Sequence, residues 1–164
     1  MASLTLQQFE NFDITRFSND DELKNFIHHF YDAHKDCFDR STQEWNLSKW
    51  DTSNVTDMSK LFYCCSNLKK LNLNNWNTSN VTNMSYMFFS CLDLEYLECN
   101  NWNTSKVTDM SHMFEGTHSL SEIQGLKTWN TSNVKNSNLV FAGSGIFNNY
   151  TERCSDFKWI NIML

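Results

Sequence analysis

The chain has no proline and only four glycines in 164 residues. Its turns must come from Asn, Asp, Ser and Thr, whose short side chains bond to nearby backbone amides. No apolar run approaches the roughly 18 residues of a membrane span. The opening Met1-Ala2-Ser3-Leu4-Thr5-Leu6 has no basic residue and no apolar stretch behind it. A secretory leader is not visible there, so a cytoplasmic protein is expected. No long basic run is present, which argues against direct binding to a nucleic-acid backbone. The formal charge is −6. Its acidic part includes residues 71–125, where Lys106 stands against Asp93, Glu95, Glu98, Asp109, Glu115 and Glu122.

Chemistry-bearing arrangements are also scarce. There is no Cys-x-x-Cys, no phosphate-cradling glycine loop, no nucleophile beside a base and no pair of catalytic carboxylates. Neither an enzyme nor a cofactor is expected. His28 and Asp32, four apart on one helix face, are half of a metal site with nothing nearby to complete it. No metal site is expected. The six cysteines, Cys37, Cys64, Cys65, Cys91, Cys99 and Cys154, come without a secretory leader, so free thiols are favoured over a disulfide framework.

What the sequence has is one phrase in four copies. It reads W-D-T-S-N-V-T-D-M-S from Trp50, W-N-T-S-N-V-T-N-M-S from Trp76, W-N-T-S-K-V-T-D-M-S from Trp102 and W-N-T-S-N-V-K-N-S-N from Trp129. The tryptophans are 26, 26 and 27 residues apart. A fixed period of that size predicts a solenoid, whose repeats bury their apolar residues against their neighbours. Aligned on tryptophan, the apolar columns are Leu47/Leu73/Cys99/Leu126, Val55/Val81/Val107/Val134, Met58/Met84/Met110 and Phe62/Phe88/Phe114/Phe141. Cys65 and Cys91 share a further column, and stacked strands roughly 4.8 Å apart would put them within disulfide reach. Leu68-Lys69-Lys70-Leu71-Asn72-Leu73 reads as a half-buried strand and Val55-Thr56-Asp57-Met58 as a second. Met84-Ser85-Tyr86-Met87-Phe88 is too apolar for a loop and reads as a short helical turn. The tryptophans could hold ligands, but recurring with the core columns they are better read as corner fillers. Asn54, Asn80 and Asn133 are expected to bond the backbone of adjacent repeats.

Residues 1–44 lack the phrase and are expected to cap the array. Phe9, Phe12, Ile14 and Phe17 read as an extended or irregular piece. Ser18 with Asp21, or Asn19 with Glu22, fits a capping box. Leu23, Phe26, Ile27, Phe30, Tyr31 and His34 then mark one helix face running to about Cys37–Phe38. Four repeats follow over 45–150, the last degraded at Lys135-Asn136-Ser137-Asn138, and residues 151–164 form a C-terminal cap or tail.

The consensus L-x-x-W-[DN]-T-S-[NK]-V-T-[DN]-M-S-x-[LM]-F-x-x-C-x-x-L-x-x-L resembles the BspA-like leucine-rich repeats of bacterial surface proteins, also called mycoplasma-type lipoprotein repeats. The resemblance implies an α+β solenoid of leucine-rich-repeat-like coils, with short strands and short helical turns. Its family role, cell-surface adhesion, is one functional alternative. The other is an intracellular inhibitor or adaptor, of the kind phages and mobile elements encode. The missing leader, the small size and the Asn-, Lys- and Phe-rich composition favour that second role. In either, the repeated letters build the scaffold and the variable letters meet a protein partner, for which a basic-surfaced nucleic-acid enzyme would suit the acidic repeats. The partner-binding residues expected are Tyr63, Tyr86, Phe89, Glu95, Tyr96, Glu98 and Glu122, with Phe89 singled out because the repeat needs no apolar residue there.

Overall fold

A computed structural model describes residues 4–37 and 43–146. Phe38, Phe147, Tyr150, Cys154 and the tail 151–164 lie outside the described residues. Helix α1 (Leu6–Glu10) opens the chain, followed by a 3₁₀ turn at Ile14–Arg16 and helix α2 (Asp20–His34). Where the apolar spacing suggested an extended piece around Phe9, a helix forms. Its signal was the Thr5-x-x-Gln8 capping box, in which each side chain bonds the other residue's amide. The Asn19 side chain caps α2 by accepting from the Glu22 amide, and Glu22 reaches back to the Ser18 amide. Asp20, Asp21 and Glu22 crowd the positive end of the helix dipole.

Four three-residue strands, β1 (Glu44–Asn46), β2 (Lys70–Asn72), β3 (Tyr96–Glu98) and β4 (Glu122–Gln124), form one parallel sheet in chain order. Trp45 pairs with Leu71, Leu71 with Leu97, and Leu97 with Ile123. Each step is one repeat of the sequence. The middle residue of every strand is buried and its neighbours face outward. Trp45 therefore stands in the leucine column, and the first repeat's strand begins at Glu44. The second predicted strand is reduced to single bridges, Asp57 to Asn83, Asn83 to Asp109 and Asp109 to Asn136.

The repeated polar letters make the turns that proline and glycine do not. Asp51, Asn77, Asn103 and Asn130 accept from the amide two residues on, at 3.0–3.1 Å. Asp57, Asn83, Asp109 and Asn136 do the same at 2.7–3.4 Å. These are Asx turns, so [DN]-x-S appears twice in each of the first three copies and once in the fourth, where Asn138 stands for the second serine. Buried Thr52, Thr78 and Thr104 donate to the carbonyls of Asn77, Asn103 and Asn130 in the next repeat. Asn80 and Asn133 donate back to the carbonyls of Ser53 and Ser105, the ladder expected of the asparagine column.

The segment expected to be a helical turn is instead a chain of overlapping tight turns. Leu61, Tyr63 and Cys65 amides bond the carbonyls three residues back. The alternate amides of Met58, Lys60, Phe62 and Cys64 bond carbonyls of the next repeat. The turns closed at Leu61 and Cys65 carry a left-handed residue at their third position, as type II turns require. Lys60, Tyr86, His112 and Leu139 take it in one column, at φ 55–59°. Cys64, Ser90, Gly116 and Gly143 take it in another, at φ 55–73°. Two of those four are glycine, the residue that adopts this backbone without a Cβ penalty. Ser90→Gly is expected to stabilise the protein by up to about 1 kcal/mol, the left-handed strain relieved less glycine's added chain entropy. Thermal and urea melts of the variant check this, and an unchanged or lower midpoint counts against it.

Core side chains stack between repeats. Phe62, Phe88, Phe114 and Phe141 form a ladder with centroids 5.1–5.5 Å apart and planes within 9°. The indoles of Trp50, Trp76, Trp102 and Trp129 form another at 5.5–6.4 Å, and all four are buried. Trp76 and Trp102 donate to the carbonyls of Leu47 and Leu73 in the preceding repeat, and Trp50 donates to Glu10 in α1. At the first repeat Phe9 stacks on Phe30 and meets Trp45 and Trp50 edge-on. Helix α2 is tied down by Asp20 on the Thr56 and Asp57 amides, Lys24 on Asp57 and Tyr31 on Ser66.

Candidate functional site

The variable letters gather on two separate surfaces. The first lies over the tight turns. Because Lys60, Tyr86 and His112 share one left-handed column, their side chains leave the backbone in the same sense, one repeat apart. The Lys60 ammonium stands 5.8 Å from the centre of the Tyr86 ring, and Tyr86 stacks on His112 at 4.4 Å. Tyr63 and Phe89 stack at 5.1 Å, and Phe89 meets Tyr86 at 5.6 Å, which joins the two columns. The His112 ring bonds the Glu115 carboxylate. Tyr63 is 37% exposed, while Tyr86 and Phe89 are half-buried. The His28 ring of α2 bonds the Lys60 carbonyl at 3.0 Å. Repulsion between the phenolate and the adjoining Cys64 thiolate pushes the Tyr63 phenol up.

The second surface is the outer face of the sheet. Register places Glu44, Lys70, Tyr96 and Glu122 in one row, and Asn46, Asn72, Glu98 and Gln124 in the row beside it. Lys70 bonds Glu44 at 2.8 Å, and that bond pushes the lysine amine up. Glu98 accepts from Asn74 at 2.7 Å. Slight burial, with the charges of Glu98 and Glu122, pushes the Tyr96 phenol up. A groove of about 820 Å³ runs over this face, with Glu10, Glu44, Lys70, Glu95, Tyr96 and Glu98 among its walls.

The seven expected residues thus do not form one site. Tyr63, Tyr86 and Phe89 meet in the turn ladder, Glu95, Tyr96 and Glu98 line the groove, and Glu122 is one strand further along. Lys60, His112 and Glu115 complete the ladder, and Glu44 and Lys70 complete the row. Glu44 was hidden because Trp45 stands where the other repeats carry Leu or Ile. Counting six residues back from Trp50, as Lys70 stands from Trp76, would have found it.

The cysteines divide as their columns suggest. Cys64 is exposed, and Cys65, Cys91 and Cys99 are buried; all four are free. Burial pushes the three buried thiols well above their ordinary range. Cys91 and Cys99 donate to the carbonyls of Phe62 and Gln124. They are protonated packing groups, not nucleophiles. Among the described residues no group of three or more His, Cys, Asp or Glu is placed to hold a metal ion. No helix among them is long and apolar enough to cross a membrane.

A family described as "Mycoplasma protein of unknown function, DUF285" matches residues 24–154. The chain belongs to that family. The DUF285 match starts inside α2 and runs through all four copies of the phrase. No curated protein and no solved structure matches the chain. The DUF285 description carries no activity, so function rests on the surfaces described above.

Proposed function

We propose that this chain is a non-catalytic protein-recognition module, built as a leucine-rich-repeat-like solenoid of the BspA-like kind. The strand register, which advances one repeat per strand, supports the architecture. The observation that carries the function is the surface ladder of Tyr63, Phe89, Tyr86 and His112. These rings lie outside the core, and the scaffold needs none of them. Aromatic anchors held in place before binding lose little side-chain entropy on association. Tyrosine is enriched among the residues that dominate interface energies. The role proposed is that of an inhibitor or adaptor that covers a partner's surface.

Capture from extract of the producing cells tests this. Wild-type protein is expected to retain a stoichiometric protein partner. The Tyr63→Ala/Phe89→Ala pair, with unchanged circular dichroism, is expected to lose at least about tenfold of that binding, the loss of two anchors. Equal retention by both proteins would remove the ladder from the interface.

A further inference from the structure

We propose that the outer face of the β1–β4 sheet docks an extended cationic segment of a partner protein, with an arginine or lysine of that segment lying over Tyr96 among Glu95, Glu98 and Glu122. This rests on the protein-recognition reading and gives the partner's chemistry at a second surface. Three observations converge. The groove over the face is open and about 820 Å³, room for several side chains of an extended peptide. Tyr96 differs from the ladder aromatics: among the described residues it stacks on no other ring, so the faces of its ring are not taken by another aromatic. Its register neighbours are Lys70 on one side and Glu122 on the other, and Glu98 stands two residues along the same face.

The row already shows what it recognises. One repeat earlier the chain supplies its own cation, Lys70 against Glu44 at 2.8 Å. On the other surface Lys60 stands over Tyr86. Around Tyr96 the carboxylates outnumber the cation: its row neighbour Lys70 is held by Glu44, and among the described residues Glu95, Glu98 and Glu122 make no ion pair. An aromatic face ringed by carboxylates attracts a guanidinium or ammonium both through the ring quadrupole and through charge. An anionic or wholly apolar segment would gain neither term.

The test is a titration of the full chain, followed by amide chemical shifts, with a nine-residue peptide carrying three arginines spaced by glycines. The same peptide with glutamates is the counter-probe. Saturable binding below about 1 mM is expected for the arginine peptide alone. Shifts should centre on residues 44–46, 70–72, 95–98 and 121–124. Tyr96→Ala should weaken binding by about fivefold or more and Glu98→Gln by about threefold. Asp21→Asn, which removes the same charge from α2, should change it by less than about twofold. No saturation, equal binding of the glutamate peptide, or equal effects of Asp21→Asn and Glu98→Gln would overturn the proposal. The Tyr63→Ala/Phe89→Ala protein should bind the peptide as wild type does. If the arginine peptide fails while that variant still loses its captured partner, this inference falls and the recognition reading stands.

Discussion

Replacing Trp76 with alanine is expected to cost about 3–5 kcal/mol, the range for deleting a large buried aromatic. Trp76 is 1% exposed and stacks between Trp50 and Trp102 while touching Phe62. Its indole N–H also closes the Leu47 carbonyl at 2.8 Å, joining the second repeat to the first. The loss has two parts, which Trp76→Phe separates. Phenylalanine keeps much of the stacking and forfeits the hydrogen bond, so about 1–2 kcal/mol is expected. Each repeat is stabilised chiefly by its neighbours, so the damage should spread along the stack. Urea melts give the magnitude, and hydrogen exchange gives the spread. Amides of the first and third repeats should lose protection in Trp76→Ala. Loss confined to residues around position 76 would show that the repeats are less coupled than their stacked indoles imply.

Gly125→Ala is expected to cost about 2–5 kcal/mol although it adds one methyl group. Gly125 is the extra residue of the 27-residue spacing, lying between β4 and a 3₁₀ turn at Leu126–Thr128. It sits at φ 92°, and an added Cβ would lie 2.5 Å from the Cys99 carbonyl oxygen and 2.6 Å from the Asn100 Cα. Both obstacles are backbone of the neighbouring repeat and cannot swing aside. The cost combines left-handed strain of about 1–3 kcal/mol with overpacking of similar size. The third and fourth repeats should be hit hardest, so exchange at Leu97–Cys99 should rise. A variant within about 0.5 kcal/mol of wild type would show that the chain absorbs its extra residue elsewhere.

Much of the scaffold was readable in the letters because the same physics acts four times. A residue buried in one repeat is buried at the equivalent place in the next, so Leu71 and Leu97, Phe62 and Phe88, or Trp76 and Trp102 identify each other. The capping of α2 by Asn19 was legible for a different reason: a cap is a local bond between residues three apart. The tight turns around Lys60 and Cys64 were less legible. Their apolar spacing imitates a helix, and the deciding feature is a backbone angle that only two glycines, Gly116 and Gly143, betray. The first strand escaped because Trp45 replaces the leucine that marks the others.

The sequence by itself determined the repeat period, the buried columns, the polar letters that turn the chain and the helix beside the first repeat. Each of these follows from local bonding or from a pattern that repeats. Only the tertiary structure decided how the variable letters combine. Tyr63 and Phe89 are 26 residues apart in the chain and 5.1 Å apart in space, while Tyr86 and Tyr96, ten residues apart, belong to different surfaces. Stacking sets distances across repeats and strand register sets which side chains share a row. Neither leaves a trace at positions where each repeat carries a different residue.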